Sequence, residues 1–111
     1  MQTDSKLRAE ARAEVLKALA HPTRIYIVDL LDRETEACVR EIADELAIDM
    51  STASRHLSQL KRAGVLRDEK RGTTVYYSLT CDCISGFMNG IETILRSRHR
   101  REQERFEALT E

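Results

Sequence analysis

The sequence predicts a mainly α-helical fold with one small β-hairpin in its second half. Along most of the chain, apolar residues recur every three to four positions, which is the spacing of an amphipathic helix. Between residues 65 and 79 the pattern changes to β-branched and aromatic residues around a turn that contains glycine. The 111 residues, 41% of them hydrophobic, are enough for one domain with its own core, so residues 1–111 are assigned to a single domain.

The first two helices are separated by a short interruption at His21 and Pro22. Proline is favourable in the first turn of a helix, so Pro22 is predicted to start the second helix, which ends in the charged segment 32–36. The first helix is predicted at roughly residues 5–20 from the apolar residues Leu7, Ala11, Val15, Ala18 and Leu19.

A short third helix precedes a fourth helix, which is predicted at about residues 50–63. Asp49 is a suitable N-cap for the fourth helix, and Gly64 lies just past its end. Only residues 47–49 separate the two helices, and so short a link is typical of a helix-turn-helix motif. The inner face of the third helix is predicted to carry Val39, Ile42, Ala43 and Leu46.

The fourth helix has two different faces. Ala53, Leu57 and Leu60 form an apolar stripe suited to packing. The other face has no carboxylate after Asp49, whereas a merely solvated face usually mixes both signs of charge. Its hydroxyl, amide and guanidinium groups favour contact with phosphates and base edges, which predicts a DNA recognition helix. The predicted contact residues are Ser51, Thr52, Ser54, Arg55, His56, Ser58, Gln59 and Arg62.

Residues 65–79 predict two strands joined by a basic turn at residues 70–73. Such a hairpin after a helix-turn-helix motif is the wing of a winged helix-turn-helix fold. Lys70 and Arg71, expected at the tip of the hairpin, are predicted to reach phosphates or a minor groove beside the recognition helix.

The rest of the chain predicts one long helix, at about residues 82–108. Its apolar stripe is longer than one small core can cover, so we expect it to pack against a twin, with help from the first helix. The protein is therefore predicted to be a homodimer through its first and last helices. The stripe consists of Ile84, Phe87, Ile91, Ile94 and Leu95.

The net charge of −1 hides a local basic region. Residues 51–80 carry a net charge of +4, whereas residues 23–50 carry −5 and the two terminal segments are close to neutral. Positive charge is thus concentrated on the predicted recognition helix and hairpin, which is the electrostatic footprint of a nucleic-acid-binding surface.

Other classes of function find less support. The chain has no glycine-rich phosphate loop, no Ser/His/Asp arrangement and no paired carboxylates in a plausible cleft, so it is predicted not to be an enzyme. A winged-helix module for protein association without DNA stays open, although the basic segment 51–80 argues against it. No apolar run approaches the roughly 18 residues of a membrane span and no signal peptide is evident, so a cytoplasmic location is expected.

The chain resembles the ArsR/SmtB family of bacterial winged-helix repressors over nearly its whole length. The matching segments are LKALAHPTR at 16–24, STASRHL at 51–57, GVL at 64–66 and RGTTVYYSL at 71–79. The resemblance implies a homodimer that covers its operator DNA. It also implies release from DNA when a metal ion, an arsenical or a thiol oxidant changes the dimer.

Three cysteines are the candidate inducer site. In the terms of the family, Cys38 keeps the first position of a cysteine pair whose second position is here Arg40. Cys81 and Cys83 lie where the family has an Asp-x-His pair, and the downstream partner positions hold residues unsuited to binding metal. Sulfur ligands favour soft acceptors, so one hypothesis is a metal site formed by Cys38, Cys81 and Cys83 for As(III), Cd(II), Zn(II) or Cu(I).

Two other interpretations of the cysteines stay open. All three lie at predicted helix starts, where the backbone field favours the thiolate form, so they are also candidates for redox or persulfide sensing. Alternatively, a cysteine is commonly a small buried hydrophobic residue with no chemical role. His56 is expected to pack or to contact phosphate rather than to bind metal. DNA binding itself is expected to require no cofactor.

Overall fold

Five helices and three short strands make up the chain in a computed structural model that describes residues 3–110. The chain divides into two units between Cys81 and Asp82. The first unit contains α1 (Thr3–Leu19), α2 (Pro22–Glu34), β1 (Ala37–Cys38), α3 (Val39–Leu46), α4 (Met50–Arg62), β2 (Leu66–Arg71) and β3 (Thr74–Leu79). The second unit contains α5 (Cys83–Thr110). The predicted winged helix-turn-helix architecture is confirmed, with element bounds close to the expected ones.

Helices α2, α3 and α4 of the first unit enclose its core. Full burial of each of its larger side chains contributes about 1.5–3 kcal/mol of hydrophobic stabilisation. The predicted stripe of α4 is confirmed, because Ala53, Leu57 and Leu60 are all fully buried. On α3, Ile42 and Ala43 are buried as predicted, whereas the flanking Val39 and Leu46 are half-buried. The largest fully buried side chains are those of Ile27, Val28, Leu31, Ile42, Leu57 and Leu60.

The ends of the helices follow local chemistry. His21 is the N-cap of α2, where its Nδ1 accepts a hydrogen bond from the Thr23 N–H at 3.2 Å, and Pro22 occupies the first turn as predicted. After α4, Gly64 adopts a left-handed φ of 87° and the following Val65 N–H donates to the Leu60 carbonyl. This arrangement satisfies carbonyls that the end of the helix leaves without partners.

The sheet has one strand more than the predicted hairpin. Its order is β1-β3-β2, and both pairs are antiparallel. β1 consists of only Ala37 and Cys38, which pair with Tyr77 and Tyr76 of β3. Strand β1 forms because a partner distant in sequence supplies its hydrogen bonds. A strand of two residues has no local periodicity from which it could be predicted.

We call the β2–β3 hairpin the wing. The turn of the wing is shorter than predicted. Arg71 pairs with Thr74, so the turn is Gly72 and Thr73 alone, and the predicted turn at residues 70–73 is wrong in extent. Gly72 has a φ of 64°, and two-residue turns with positive φ match the twist of paired strands. Lys70 and Arg71 therefore belong to strand β2.

Helix α5 has 28 residues and would extend about 42 Å at the usual helical rise. None of its described residues is buried. Ile84, Met88 and Ile91 are half-buried, whereas five other large apolar side chains are exposed, namely Phe87, Ile94, Leu95, Phe106 and Leu109. No helix within residues 3–110 combines the length and apolar character needed to cross a membrane.

Candidate nucleic-acid interface

Asp49 orders the start of α4. Its Oδ1 accepts hydrogen bonds from the Thr52 N–H at 2.6 Å and from the Ser51 hydroxyl at 2.8 Å. These bonds, led by the backbone one, lower the pKa of Asp49 to about 2. The carboxylate is therefore ionised at neutral pH and tied to its own helix, where a negative charge interacts favourably with the N-terminal dipole.

The polar face of α4 turns mainly toward solvent. Among its predicted contact residues, Thr52 and His56 are half-buried, and the others are exposed. Within the described part of the chain, Arg55 forms no hydrogen bond or salt bridge, so its guanidinium is available for an external anion. The exposed set is Ser51, Ser54, Arg55, Ser58, Gln59 and Arg62.

His56 points back into the protein and joins α4 to the start of α2. Its Nδ1 accepts a hydrogen bond from Arg24 Nε at 3.1 Å, and its ring lies 4.7 Å from the ring of His21. Burial lowers the pKa of His56 from its usual 6.5, and the nearby His21, Arg24 and Arg55 lower it further. His56 is thus a neutral imidazole that helps to set the position of α4.

Arg24 is a positioning residue that the sequence pattern does not predict. Besides holding His56, it donates from Nη1 to the Ala18 carbonyl at 3.1 Å, so one side chain links the end of α1 to α4. The sequence places Arg24 inside the family-like segment 16–24, but its partner lies 32 residues away. Nothing in the local pattern indicates that contact.

A basic cavity continues from the end of α4 toward α1. Its volume is about 290 Å³, and Lys17, Arg24 and Arg62 supply three cations to its walls. Glu14 is the one carboxylate in the lining, which Gln59 and two alanines complete. The positive charge of the α4 face is therefore not isolated but extends across this side of the first unit.

The lysines of the wing and of the adjacent end of α4 differ in whether they pair with a carboxylate of the chain. Lys61, at the end of α4, holds Asp68 of β2 through an Nζ–Oδ2 contact of 2.9 Å, and this hydrogen bond raises the pKa of Lys61. Lys70 is exposed and forms no salt bridge among the described residues. Lys70 is therefore available for an external phosphate.

Arg71 is held by carboxylates within the protein. Its Nη1 and Nη2 contact the two carboxylate oxygens of Glu36 at 2.7 and 2.8 Å, and Nη2 also contacts Glu69 at 3.1 Å. The hydrogen bond to Arg71 lowers the pKa of Glu36, and the same pairing raises the pKa of Arg71. Arg71 is thus paired within the chain, and its predicted contact with DNA stays a prediction.

Cys38 lies at the junction of β1 and α3. It is half-buried, it is the N-cap of α3, and its N–H donates to Glu41 Oε1 at 3.0 Å. This bond, together with one from the Cys38 side chain, lowers the pKa of Glu41. Cys38 is the free cysteine of the described residues and has a structural place as a helix cap.

Cys81 and Cys83 are exposed and disulfide-bonded. Oxidised sulfur cannot act as the thiolate ligand that a soft metal requires. Across residues 3–110 there is no group of three or more His, Cys, Asp or Glu side chains placed to hold a metal ion. The three-cysteine metal site therefore stays a prediction.

Comparisons with known proteins agree with this geometry. A family model described as a helix-turn-helix domain matches residues 19–69. An uncharacterized helix-turn-helix-type transcriptional regulator of Methanocaldococcus jannaschii is 35% identical over 85 residues, which are 77% of this chain and 96% of that protein. The transcriptional repressor SmtB of Mycobacterium tuberculosis is 46% identical over 70 residues, or 63% of this chain and 51% of that protein. The chain thus matches about half the length of SmtB.

The fold has a solved counterpart. A homodimeric winged helix-turn-helix DNA-binding domain from Mycobacterium bovis, described as a possible ArsR-family transcriptional regulator, superimposes with a TM-score of 0.80 at 26% identity. The superposition covers 91% of this chain and 93% of that one.

Proposed function

The chain belongs to the ArsR/SmtB family of winged helix-turn-helix transcriptional regulators, and we propose that it represses transcription as a homodimer bound to operator DNA. The observation that carries this proposal is the outer face of α4. Six exposed hydroxyl, amide and guanidinium side chains lie there, and no carboxylate occurs between Met50 and Arg62. Donors and neutral acceptors of this kind suit base edges and phosphates, which carboxylates repel.

The contacts divide by chemistry. Ser54 and Ser58, one turn apart on the exposed face of α4, are proposed to contact base edges in the major groove, where a hydroxyl can donate or accept a hydrogen bond. Arg55, Arg62 and Lys70 are proposed to contact phosphates, because all three are exposed cations. Phosphate contacts fix the register of the protein on the duplex, and base contacts supply specificity.

Dimerisation is supported by apolar side chains that one protomer leaves in solvent. On α1, Leu7 is 57% and Leu16 is 50% exposed, and on α5, Phe87 is 42% and Ile94 is 65% exposed. Phe87 and Ile94, seven residues apart, share one face of α5, and an exposed apolar face of this kind is typical of an interface between subunits. A two-fold dimer would place two copies of α4 in successive major grooves about 34 Å apart.

The interface proposal has a direct test. Ile94→Glu should convert the dimer to a monomer in sedimentation analysis, because dimer formation would bury the charge of the glutamate in an apolar contact. Tyr26→Glu is the matched control, since Tyr26 is an exposed large side chain on α2, outside the proposed interface. A dimer that survives Ile94→Glu unchanged would remove α5 from the interface.

The DNA proposal is tested by selecting duplexes from a random library with the purified protein. We expect an inverted repeat with half-sites about one helical turn apart, and affinity that falls steeply with salt. A reporter placed behind the selected site should be repressed in cells. Absence of duplex binding even at low salt would instead favour the protein-association module.

For release from DNA, we propose thiol chemistry at Cys81 and Cys83, with arsenite or a soft metal ion as the first candidate inducer class. The second candidate is an oxidant or a persulfide, which would act on the same two residues by forming or breaking their disulfide. In that form of the proposal, the reduced protein binds DNA and the oxidised protein has a lower affinity. A change at the start of α5 could alter the spacing of the two α4 helices, and couplings of this kind are about 5- to 150-fold.

The two inducer classes are separated by one titration. Reduced protein on its selected duplex is exposed to arsenite, Cd(II), an organic persulfide or diamide, and release is followed by fluorescence anisotropy. The Cys81→Ser/Cys83→Ser variant should stay bound throughout, whereas Cys38→Ser should still respond. Release of the double variant by any of these agents would remove the pair as the sensor for that agent.

A further inference from the structure

Arg71 is surrounded by groups of this chain on three sides. Glu36 accepts two hydrogen bonds from its guanidinium, Glu69 accepts a third, and the guanidinium carbon lies 4.8 Å from the ring centre of Tyr76. A two-point contact between a guanidinium and a carboxylate fixes orientation as well as distance. Three of the five N–H donors of Arg71 are therefore used within the chain.

The pair joins parts of the chain that are far apart in sequence. Glu36 lies between α2 and β1, directly before the start of the helix-turn-helix segment, and Arg71 lies at the end of β2 beside the turn of the wing. The two residues are 35 positions apart. The contact thus ties the outer end of the wing to the segment that leads into α3.

The neighbouring Lys70 has the opposite environment. Successive residues of a strand point to opposite faces, so Lys70 and Arg71 project to different sides of the wing. Lys70 forms no salt bridge within the described chain, whereas Arg71 is in contact with two carboxylates. The two adjacent cations therefore differ in how much of their charge is paired within the chain.

We propose that Arg71 and Glu36 form an anchor that fixes the wing relative to the helix-turn-helix segment, which makes Arg71 a positioning residue and leaves Lys70 as the phosphate contact of the wing. This inference rests on the proposed function as a DNA-binding repressor. It assigns to Glu36, an acidic residue outside the basic region, a favourable part in DNA binding.

The sign of one substitution separates the anchor from simple electrostatics. Removing a carboxylate from the neighbourhood of DNA normally raises affinity, because the charge repels phosphates. If Glu36 instead holds the wing in position, Glu36→Gln lowers affinity although it makes the protein more positive. Glu34→Gln is the matched control, since Glu34 is an exposed carboxylate at the end of α2 whose partner is Arg33.

The experiment measures duplex affinity and its salt dependence for five variants beside the wild type. Glu36→Gln and Arg71→Gln should each weaken binding about two- to tenfold, and the double variant should be no weaker than either one. Neither should change the salt slope, whereas Lys70→Gln should make the slope shallower by about 1.8 for the two wings of a dimer. Glu34→Gln should bind at least as tightly as the wild type.

A second measurement needs no DNA. Backbone amide hydrogen exchange at residues 72–74 should be faster in Glu36→Gln than in the wild type, and unchanged in Glu34→Gln. Tighter DNA binding by Glu36→Gln, additive losses in the double variant, or unchanged exchange would each overturn the anchor. A wild-type protein that binds no duplex at low salt would refute the proposed function, while the exchange measurement would still decide the anchor.

Discussion

Replacing Arg55 by alanine tests the DNA-binding face with the least disturbance of the fold. Arg55 is exposed on α4 and forms no hydrogen bond or salt bridge within the described residues, so its removal leaves no partner unsatisfied. Surface substitutions of this kind usually change stability very little. Any effect on DNA binding can therefore be assigned to the lost guanidinium.

The expected magnitude follows from the number of phosphates neutralised. Each phosphate contact contributes about 0.9 to the slope of log affinity against log salt, so two copies in a dimer contribute about 1.8. Between about 50 and 200 mM salt, a fourfold change, the affinity of the wild type should then fall about twelvefold more than that of Arg55→Ala. The slope, rather than one affinity, carries the test.

The assay is fluorescence anisotropy with the selected duplex over this salt range, with thermal unfolding of each variant as a control on folding. Arg33→Ala is the matched variant, because it removes the same charge from α2, where Arg33 pairs with Glu34 and Glu45. We expect its slope to equal that of the wild type. A slope for Arg55→Ala that also equals the wild-type slope would refute the assignment of Arg55 as a phosphate contact of α4.

Three further outcomes are expected. Leu57→Ala leaves a cavity at a fully buried site in the core and should lower the free energy of unfolding by about 2–5 kcal/mol. Thermal unfolding at fixed protein concentration should show a midpoint lower by roughly 10–20 °C. A shift of only a degree or two would contradict the packing of α4. The pKa of Asp49 is lowered to about 2 in the folded protein, so its stabilising contribution is complete above its ordinary pKa of 3.8 and is lost as the pH falls through 2; urea unfolding between pH 2 and 5 should show less acid dependence in Asp49→Ala. His56 has a folded pKa below its ordinary 6.5, so the folded state favours the neutral ring, and stability should decline as the pH falls below 6.5; His56→Gln should flatten that decline, and an unchanged profile would exclude His56 as its source.

Much of the fold could be predicted because its signals are local. The buried stripe of α4 follows from the spacing of Ala53, Leu57 and Leu60, and the helix ends follow from the chemistry of Pro22, Asp49 and Gly64. The capping groups act on backbone atoms only two or three residues away, so the chain itself brings them together. The polar face of α4 could also be predicted, because helical spacing alone shows which residues lie opposite the buried stripe.

The strand β1 and the extent of the wing turn were not predictable in this way. β1 owes its existence to pairing with Tyr76 and Tyr77, which are separated from it by almost forty residues. The position of the turn depends on the register Arg71–Thr74, and several registers fit the same composition.

The sequence by itself determined the order of the five helices and the hairpin, the buried stripe of α4 and the concentration of positive charge on α4 and the wing. Periodicity, capping and charge are properties of neighbouring residues, so they can be recognised from the sequence alone. Only the tertiary structure decided which polar side chains form hydrogen bonds or salt bridges within the protein. Arg71 and Arg55 are both arginines in the basic segment, yet one is held by Glu36, 35 positions away, and the other faces solvent. Such a difference arises when distant segments pack, and it separates a residue that positions the wing from one that is available to DNA.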